Sequence, residues 1–590
     1  MKQFLITAAG VFAGLMIFLV GVPIVLVAMA ASATGGATVP ARAVLELDLR
    51  DPLTDQTPQN PFAGIGRRSQ SVMSIIEGLR RAAADDRVKG VLIRLPEDGL
   101  EPAAADEIRL AVKHFRASGK PVIAHSQGLY PAGVISSTYM LGAASGDLWM
   151  QPGASFQVTG LASEDVFFKR LFDRYGVSPN FEQRREYKNA VNGFLYDDYT
   201  PEHREAQLSW MTSVYETGLA TAAGDRKTDA AALRRTLEAG PYLAEEAQRL
   251  RLVDKLGHVR EAQLALLRRA GGDAELMDFE DYAQGRRERR GRGDTIAVIE
   301  GEGPIVTGRD GGANPFSASG AIYSDDVSEA FQAAIRAKDV KAIVFRLNSP
   351  GGSDTASEQI LAAIRSAKAA GKPVVVSMGT YAASGGYWVS SEASAIVAEP
   401  STLTGSIGVY GGKFALGEAL GRFGVDLRQL EVGSPYAGAF GVSRDFTPEE
   451  RAAFARWMDR IYETFITRVA TGRKLAPEQV RELARGRVWT GAQAQRLGLV
   501  DELGGFYQAV DRAKRLAKIE GEPALRRVGP MASPFEALER ILGVQATSAR
   551  TLAAAAWVFG DPRAERVMDE IAAQRLREKG AAVLAPTPAF

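Results

Sequence analysis

The sequence predicts an α/β protein built from two copies of one domain behind an apolar N-terminal segment. Three observations carry that expectation. Extended matches recur in the same order in the two halves of the 590-residue chain. Within each half, β-branched runs alternate with helical periodicity, the pattern of a parallel sheet flanked by helices. No charged residue occurs from Gln3 to Ala41.

"FLITAAGVFAGLMIFLVGVPIVLVAMA" is almost wholly apolar, and about 20 such residues span a bilayer core. The stretch is longer than the apolar part of a secretory signal. Residues 1–41 are therefore predicted to be an uncleaved transmembrane anchor. A removed signal, cut near "AMAASA", is the competing reading. Lys2 and the amino terminus are the only positive flank before the span, which keeps them cytoplasmic. In a bacterial cell the remaining bulk then lies on the outer, periplasmic side of the inner membrane.

The repeat is explicit. "AQRLRLVDKLG" (Ala247–Gly257) returns as "AQRLGLVDELG" (Ala494–Gly504), and "DYTPEHREAQLSWM" from Asp198 returns as "DFTPEERAAFARWM" from Asp445, both 247 positions later. "ASGKPVIA" (Ala117–Ala124) matches "AAGKPVVV" (Ala369–Val376), 252 positions later. Internal repeats of this kind set the domain plan. The copies are read as residues 42–285 and 295–520. The basic, Gly-containing run 286–294 joins them as a linker. Residues 521–590 are read as a helical Ala/Arg-rich tail ending in a loose "AAVLAPTPAF".

In the second copy, "KAIVFRL" (Lys341–Leu347) reads as a buried strand. "SPGG" interrupts it. "SDTASEQILAAIRSAKAAGKP" then has Ser353, Asp354 or Thr355 as cap and a Gly-Lys-Pro stop. "VVVSM" (Val374–Met378) and "AIVAEP" (Ala395–Pro400) read as further strands, with a helix start between them at "AASGGYWVSSEA".

Composition excludes several chemistries. There is no cysteine, so disulfides, thiolate nucleophiles and zinc–thiolate sites are absent. The four histidines, His114, His125, His203 and His258, have no metal-ligand spacing. Neither a metal nor a cofactor is expected. A net charge of +1 gives no field to gather nucleic acid.

Within "YAASGGYW" (Tyr381–Trp388), small residues leave the hydroxyl of Ser384 accessible at a helix start. Unsatisfied N–H groups there suit an oxyanion. Gly385, with Gly351 or Gly352 from "NSPGG", supplies candidate donors for acyl transfer. The same residues also read as an N-cap and a turn, and motif shape alone does not separate the two. A nucleophilic serine needs a base, and no histidine lies within a hundred residues of Ser384. A lysine serves if burial lowers its pKa to about 7–8.

The repeat points to one. The shared D-[YF]-T-P places Lys188 of "REYKNAV" opposite Pro435, and a looser match places Gly133 opposite Ser384. "LPEDG" (Leu95–Gly99) replaces "LNSPGG" in the first copy. Each copy thus lacks what the other has, which suggests one composite site. Tyr187, Ala190, Val191 and Phe194 make apolar surroundings for Lys188, and Glu186 would spoil them if it turned inward.

These residues resemble the signal peptide peptidase A (protease IV) family in its long, duplicated form. The resemblance rests on the apolar N-terminus, the two copies, "YKNAV", "NSPGGS" and "YAASGGYW". It implies two Clp-protease/crotonase-like domains and a Ser/Lys-dyad peptidase, with Ser384 as nucleophile and Lys188 as general base. It further implies a homotetramer on the membrane that degrades hydrophobic peptides, cleaved signal peptides above all. Two rival readings are a crotonase-like acyl-CoA enzyme and a catalytically inactive membrane scaffold.

Overall fold

The computed structural model describes residues 38–57, 70–271, 273–285, 293–310 and 320–529, and the backbone of 583–584. The expected anchor up to residue 37, most of the linker (286–292) and most of the tail (530–582 and 585–590) lie outside the described residues. Among the described residues no helix is long and apolar enough to cross a membrane.

The repeat in sequence is a repeat in topology. The first sheet runs Lys255–Leu256, Leu148–Met150, Val122–Ser126, Val88–Arg94, Ala43–Asp48, Glu275–Asp278, all parallel. The second contains the same path: Glu502–Leu503, Ala395–Ala398, Val374–Ala383, Val340–Ser349, Thr295–Glu302, Ala524–Arg527. Strands covered on both faces read as continuous apolar runs, and Ala342 to Leu347 are all buried. Ser353 is the residue that caps helix Asp354–Ala369, its side chain accepting from the N–H of Ala356. The long helices Pro201–Arg226 and Pro448–Arg473 grow from the matched Thr-Pro segments. In each, the threonine (Thr200, Thr447) caps and the proline takes the first turn, where its missing N–H costs nothing.

The tail differs from expectation at its start. Residues 524–527 are not helical but form the outer strand of the second sheet, where Glu275–Asp278 lies in the first. Arg526 and Arg527 keep that edge charged, and their charges hide the strand in the sequence. Arg527 donates to Glu300 at 3.1 Å and to Glu77 of the first copy at 2.7 Å.

The second sheet also departs from the first where the site lies. "VVVSM" does not end at Met378; the strand continues to Ala383. Its first half pairs with Ala395–Ala398, and Tyr381–Ala383 pair with Leu403–Gly405. That fork carries the chain to Ser384.

Strand pairing, apolar packing and a buried ion cluster all help to join the copies. Ser178–Arg184 pairs antiparallel with Val409–Ala415, from Ser178 opposite Ala415 to Arg184 opposite Val409. Ile75, Leu79 and Ile108 of the first copy share one hydrophobic cluster with Val344, Val397 and Phe506 of the second. At the centre, the Arg346 side chain is 1% exposed and meets Asp55 and Glu107 of the first copy, each 4% exposed. Arg346 donates through Nε to Asp55 at 2.9 Å and through Nη2 to Glu107 at 2.7 Å. The N–H groups of Asp55 and Gln56 donate to Glu302, both at 2.9 Å. Burial, helped by the Asp55 charge, pushes the Glu302 carboxyl up to about 7.

Candidate active site

Ser384 closes the strand Val374–Ala383 and opens the helix Gly385–Ser390. Its backbone sits at φ 54°, ψ −116°, a conformation that costs a non-glycine residue on the order of 1–3 kcal/mol. Its N–H donates to Gly405 O at 2.8 Å, which holds the bend. The hydroxyl makes no capping bond to the helix, so the N-cap reading does not hold. It faces Lys188 instead.

Lys188 arrives from the first copy. The strand pair Ser178–Arg184 and Val409–Ala415 delivers the segment, and residues 485–487 of the second copy clasp it. The N–H of Tyr187 donates to Arg485 O at 3.1 Å. The Lys188 backbone passes across Gly486 (φ 82°), where a Cβ would stand only 2.5 Å from Lys188 N. No side chain could occupy that position. Lys188 Nζ lies 2.8 Å from Ser384 Oγ and 3.0 Å from both the carbonyl and hydroxyl oxygens of Ser406. Lys188 and Ser384 are both fully buried, and one chain supplies both. Glu186 turns away and pairs with Arg485.

Burial holds the Lys188 amine well below its ordinary value of 10.5. A neutral amine here donates twice, to the two Ser406 oxygens, and offers its lone pair to the Ser384 hydroxyl proton. In that state Ser406 would aim the lone pair. The sequence reading missed it, although the repeat held the signal: "LTGS" (Leu403–Ser406) matches "VTGL" (Val158–Leu161). Serine in one copy faces leucine in the other.

The glycines converge as their positions suggested, with one difference. Gly351, at φ 112°, donates its N–H to Ser349 Oγ at 3.1 Å and so shapes the turn. Gly352 lies against Gly385: a Cβ on Gly385 would stand 2.9 Å from Gly352 N and 2.7 Å from Ser357 Oγ. Gly385→Ala is therefore expected to push these amides apart. Its kcat should fall about 10²–10³-fold, as when an oxyanion donor is lost. Unchanged kcat in a variant of native circular dichroism would show that the two amides do no such work.

The corresponding region of the first copy is closed on itself. A Cβ on Gly99 would lie 2.2 Å from Val134 N. The N–H of Gly99 donates to Ala132 O at 2.8 Å, and Thr138 Oγ1 donates to Asp98 O at 2.7 Å. Gly133 supplies no hydroxyl there.

Comparison with known proteins shows the family. Residues 114–271 and 366–520 each match peptidase family S49. "Protease 4" of Salmonella typhi is 34% identical over 81% of this chain and 79% of its own length. "Protease 4" of Haemophilus influenzae is 31% identical over 78% of this chain and 75% of its own. "Serine protease SPPA, chloroplastic" of Arabidopsis thaliana is 29% identical over 81% of this chain and 69% of its own. The chain belongs to peptidase family S49, in the duplicated form, and is a serine peptidase.

Proposed function

We propose that this serine peptidase is a membrane-anchored endopeptidase in which Ser384 is the nucleophile and Lys188 its general base. Its substrates are hydrophobic peptides, cleaved signal peptides among them. The observation that carries the reading is the 2.8 Å approach of Lys188 Nζ to Ser384 Oγ in a fully buried setting. Neutral Lys188 takes the hydroxyl proton as Ser384 Oγ attacks the peptide carbonyl. The amides of Gly352 and Gly385 hold the oxyanion. Lys188 then returns the proton to the leaving amine, and water resolves the acyl-enzyme. An anchor at 1–41, a catalytic part outside the cytoplasm and a homotetramer belong to the same reading. Its support is the uncharged run Gln3–Ala41 and the kinship with bacterial Protease 4.

A fluorophosphonate probe tests the chemistry directly. It is expected to label wild type and not Ser384→Ala. Only the unprotonated amine can act as base, so labelling should rise with pH through the lowered Lys188 pKa and then level off. Labelling that is independent of pH down to the acid limit of the folded protein would remove Lys188 from the role of base.

A further inference from the structure

The fork that carries Ser384 is gripped by carboxyls of the seam, and one of them lacks a donor. Strand Val374–Ala383 changes partner around Gly379, from Ala395–Ala398 to Leu403–Gly405. The turn 399–402 links those two partners. Its Thr402 Oγ1 donates to Gly379 O at 2.7 Å, and a Cβ on Gly379 would stand 2.8 Å from Asp55 Oδ1. Ser401 N–H donates to Asp106 Oδ2 of the first copy at 3.2 Å. Glu399 opens the turn and is 2% exposed. Its Oε1 finds no hydrogen-bond partner among the described residues. A Cβ on Gly505 would lie 2.6 Å from Glu399 Oε1 and 2.6 Å from Glu107 Oε1. Glu107 has its own donors, Arg346 and, at 2.6 Å, the N–H of Phe506. Asp106, Glu107 and Arg109 face Glu399 from helix Pro102–Ala117, and Arg346 faces it from strand Val340–Ser349. Beyond that arginine lie Asp55 and, bonded to its N–H, Glu302. Both cations are committed elsewhere: Arg346 to Asp55 and Glu107, Arg109 to Asp225 at 2.6 Å.

We propose that Glu399 is a positioning residue that works as a neutral acid: its proton lets the turn 399–402 seat between the copies and hold the fork, and loss of that proton releases the fork. The inference rests on the reading of Ser384 as nucleophile. An anion at Glu399 would stand beside Asp106 and Glu107 in a buried seam with no cation of its own, and a buried charge left unpaired is destabilising. Burial, and then the charges of Asp106 and Glu107, hold the Glu399 carboxyl well above its ordinary value of 4.5. The turn leads straight into Leu403–Gly405 and Ser406. Gly405 O accepts the N–H of Ser384, and the two Ser406 oxygens accept from Lys188. A turn pushed away from Asp106 therefore loosens both halves of the site at once. The plateau that Lys188 gives to the pH profile has an alkaline end, set by the seam.

The pH profile of kcat/KM for a fluorogenic hydrophobic peptide tests this in wild type and in Glu399→Gln, whose amide mimics the neutral acid. Beyond its plateau wild type should lose about ten-fold per pH unit, the slope of a single ionisation, and recover on return to neutral pH. Glu399→Gln should keep the plateau into that range. A wild type without an alkaline fall, or a variant that falls at the same pH, overturns the inference and leaves Ser384 and Lys188 standing. An acid limb missing from both proteins, with the alkaline difference present, overturns Lys188 as base and keeps the role of Glu399. Melting curves give a readout free of catalysis. The stability that a raised acid contributes is whole below its unfolded value and is lost as pH rises through the folded one. Glu399→Gln should therefore gain in melting temperature over wild type as pH rises above 4.5. A gap that does not change with pH overturns the inference, even if wild type hydrolyses nothing. Asp106→Asn keeps an oxygen for the Ser401 N–H and removes one like charge, so it should move the alkaline end to lower pH. An unmoved end overturns the acid cluster as its cause.

Discussion

Lys188→Met is expected to lower kcat/KM for a fluorogenic hydrophobic peptide by roughly 10²–10⁴-fold, the range of a lost general base. Ser384→Ala should fall at least as far. In the proposed mechanism the two groups act on one proton, so the double variant should be no slower than the worse single variant. Near-normal turnover in Lys188→Met would place the base elsewhere. A companion readout is stability. The folded pKa of Lys188 lies below its unfolded value of about 10.4. Burial therefore costs nothing above that unfolded value. The cost grows as pH falls toward the folded pKa and is constant below it. Lys188→Met removes it, so the variant should melt higher than wild type at neutral pH while losing activity. A lower melting temperature would mean that the contacts to Ser384 and Ser406 outweigh the burial cost.

The second large effect concerns the seam between copies. Arg346→Met should destabilise the protein by about 3–5 kcal/mol, because it leaves Asp55 and Glu107 buried without their cation. Urea unfolding checks the size. The pH dependence checks the cause. Burial already raises the Glu107 carboxyl above its ordinary value, with Arg346 working against the rise. Without the arginine the rise is larger. A raised acid stabilises below its unfolded pKa and loses that contribution as pH rises through the folded one. The deficit should therefore be greatest at neutral and alkaline pH and shrink in acid. A deficit that is the same at all pH values would point to lost packing rather than lost charge.

How much of this was legible in the sequence depended on the kind of signal. The duplicated fold was open to reading because matched segments such as Ala247–Gly257 and Ala494–Gly504 keep their order. Lys188 and Ser384 emerged because each copy kept one half of the pair. Ser406 left the same trace, but the match of LTGS to VTGL is too short to stand out from chance. The Arg346 cluster was invisible, since Asp55 lies 291 residues away and Glu107 239, and isolated carboxylates look like surface. Ala524–Arg527 forms a strand where the sequence predicts helix, because its arginines suit either. The tail strand Val583–Leu584, antiparallel to Gly351–Gly352, could not be read at all. Its pairing is main chain to main chain, and such bonds impose almost no pattern on side chains.

If Ser384 and Lys188 form the proposed dyad, its split between the copies has a consequence for biosynthesis. Lys188 and Ser384 are 196 residues apart in the chain. At about 5–20 residues per second, the lysine is made roughly 10–40 s before the serine. Throughout that interval the nascent protein holds a base with nothing to activate. The strand pair that brings Lys188 to the site also waits for residues 409–415, and its clasp waits for residues 485–487. Hydrolytic competence thus arises only in a chain whose second half has already folded onto its first. On the proposed mechanism, a ribosome-bound or prematurely terminated fragment that lacks Ser384 has no nucleophile to turn on its neighbours.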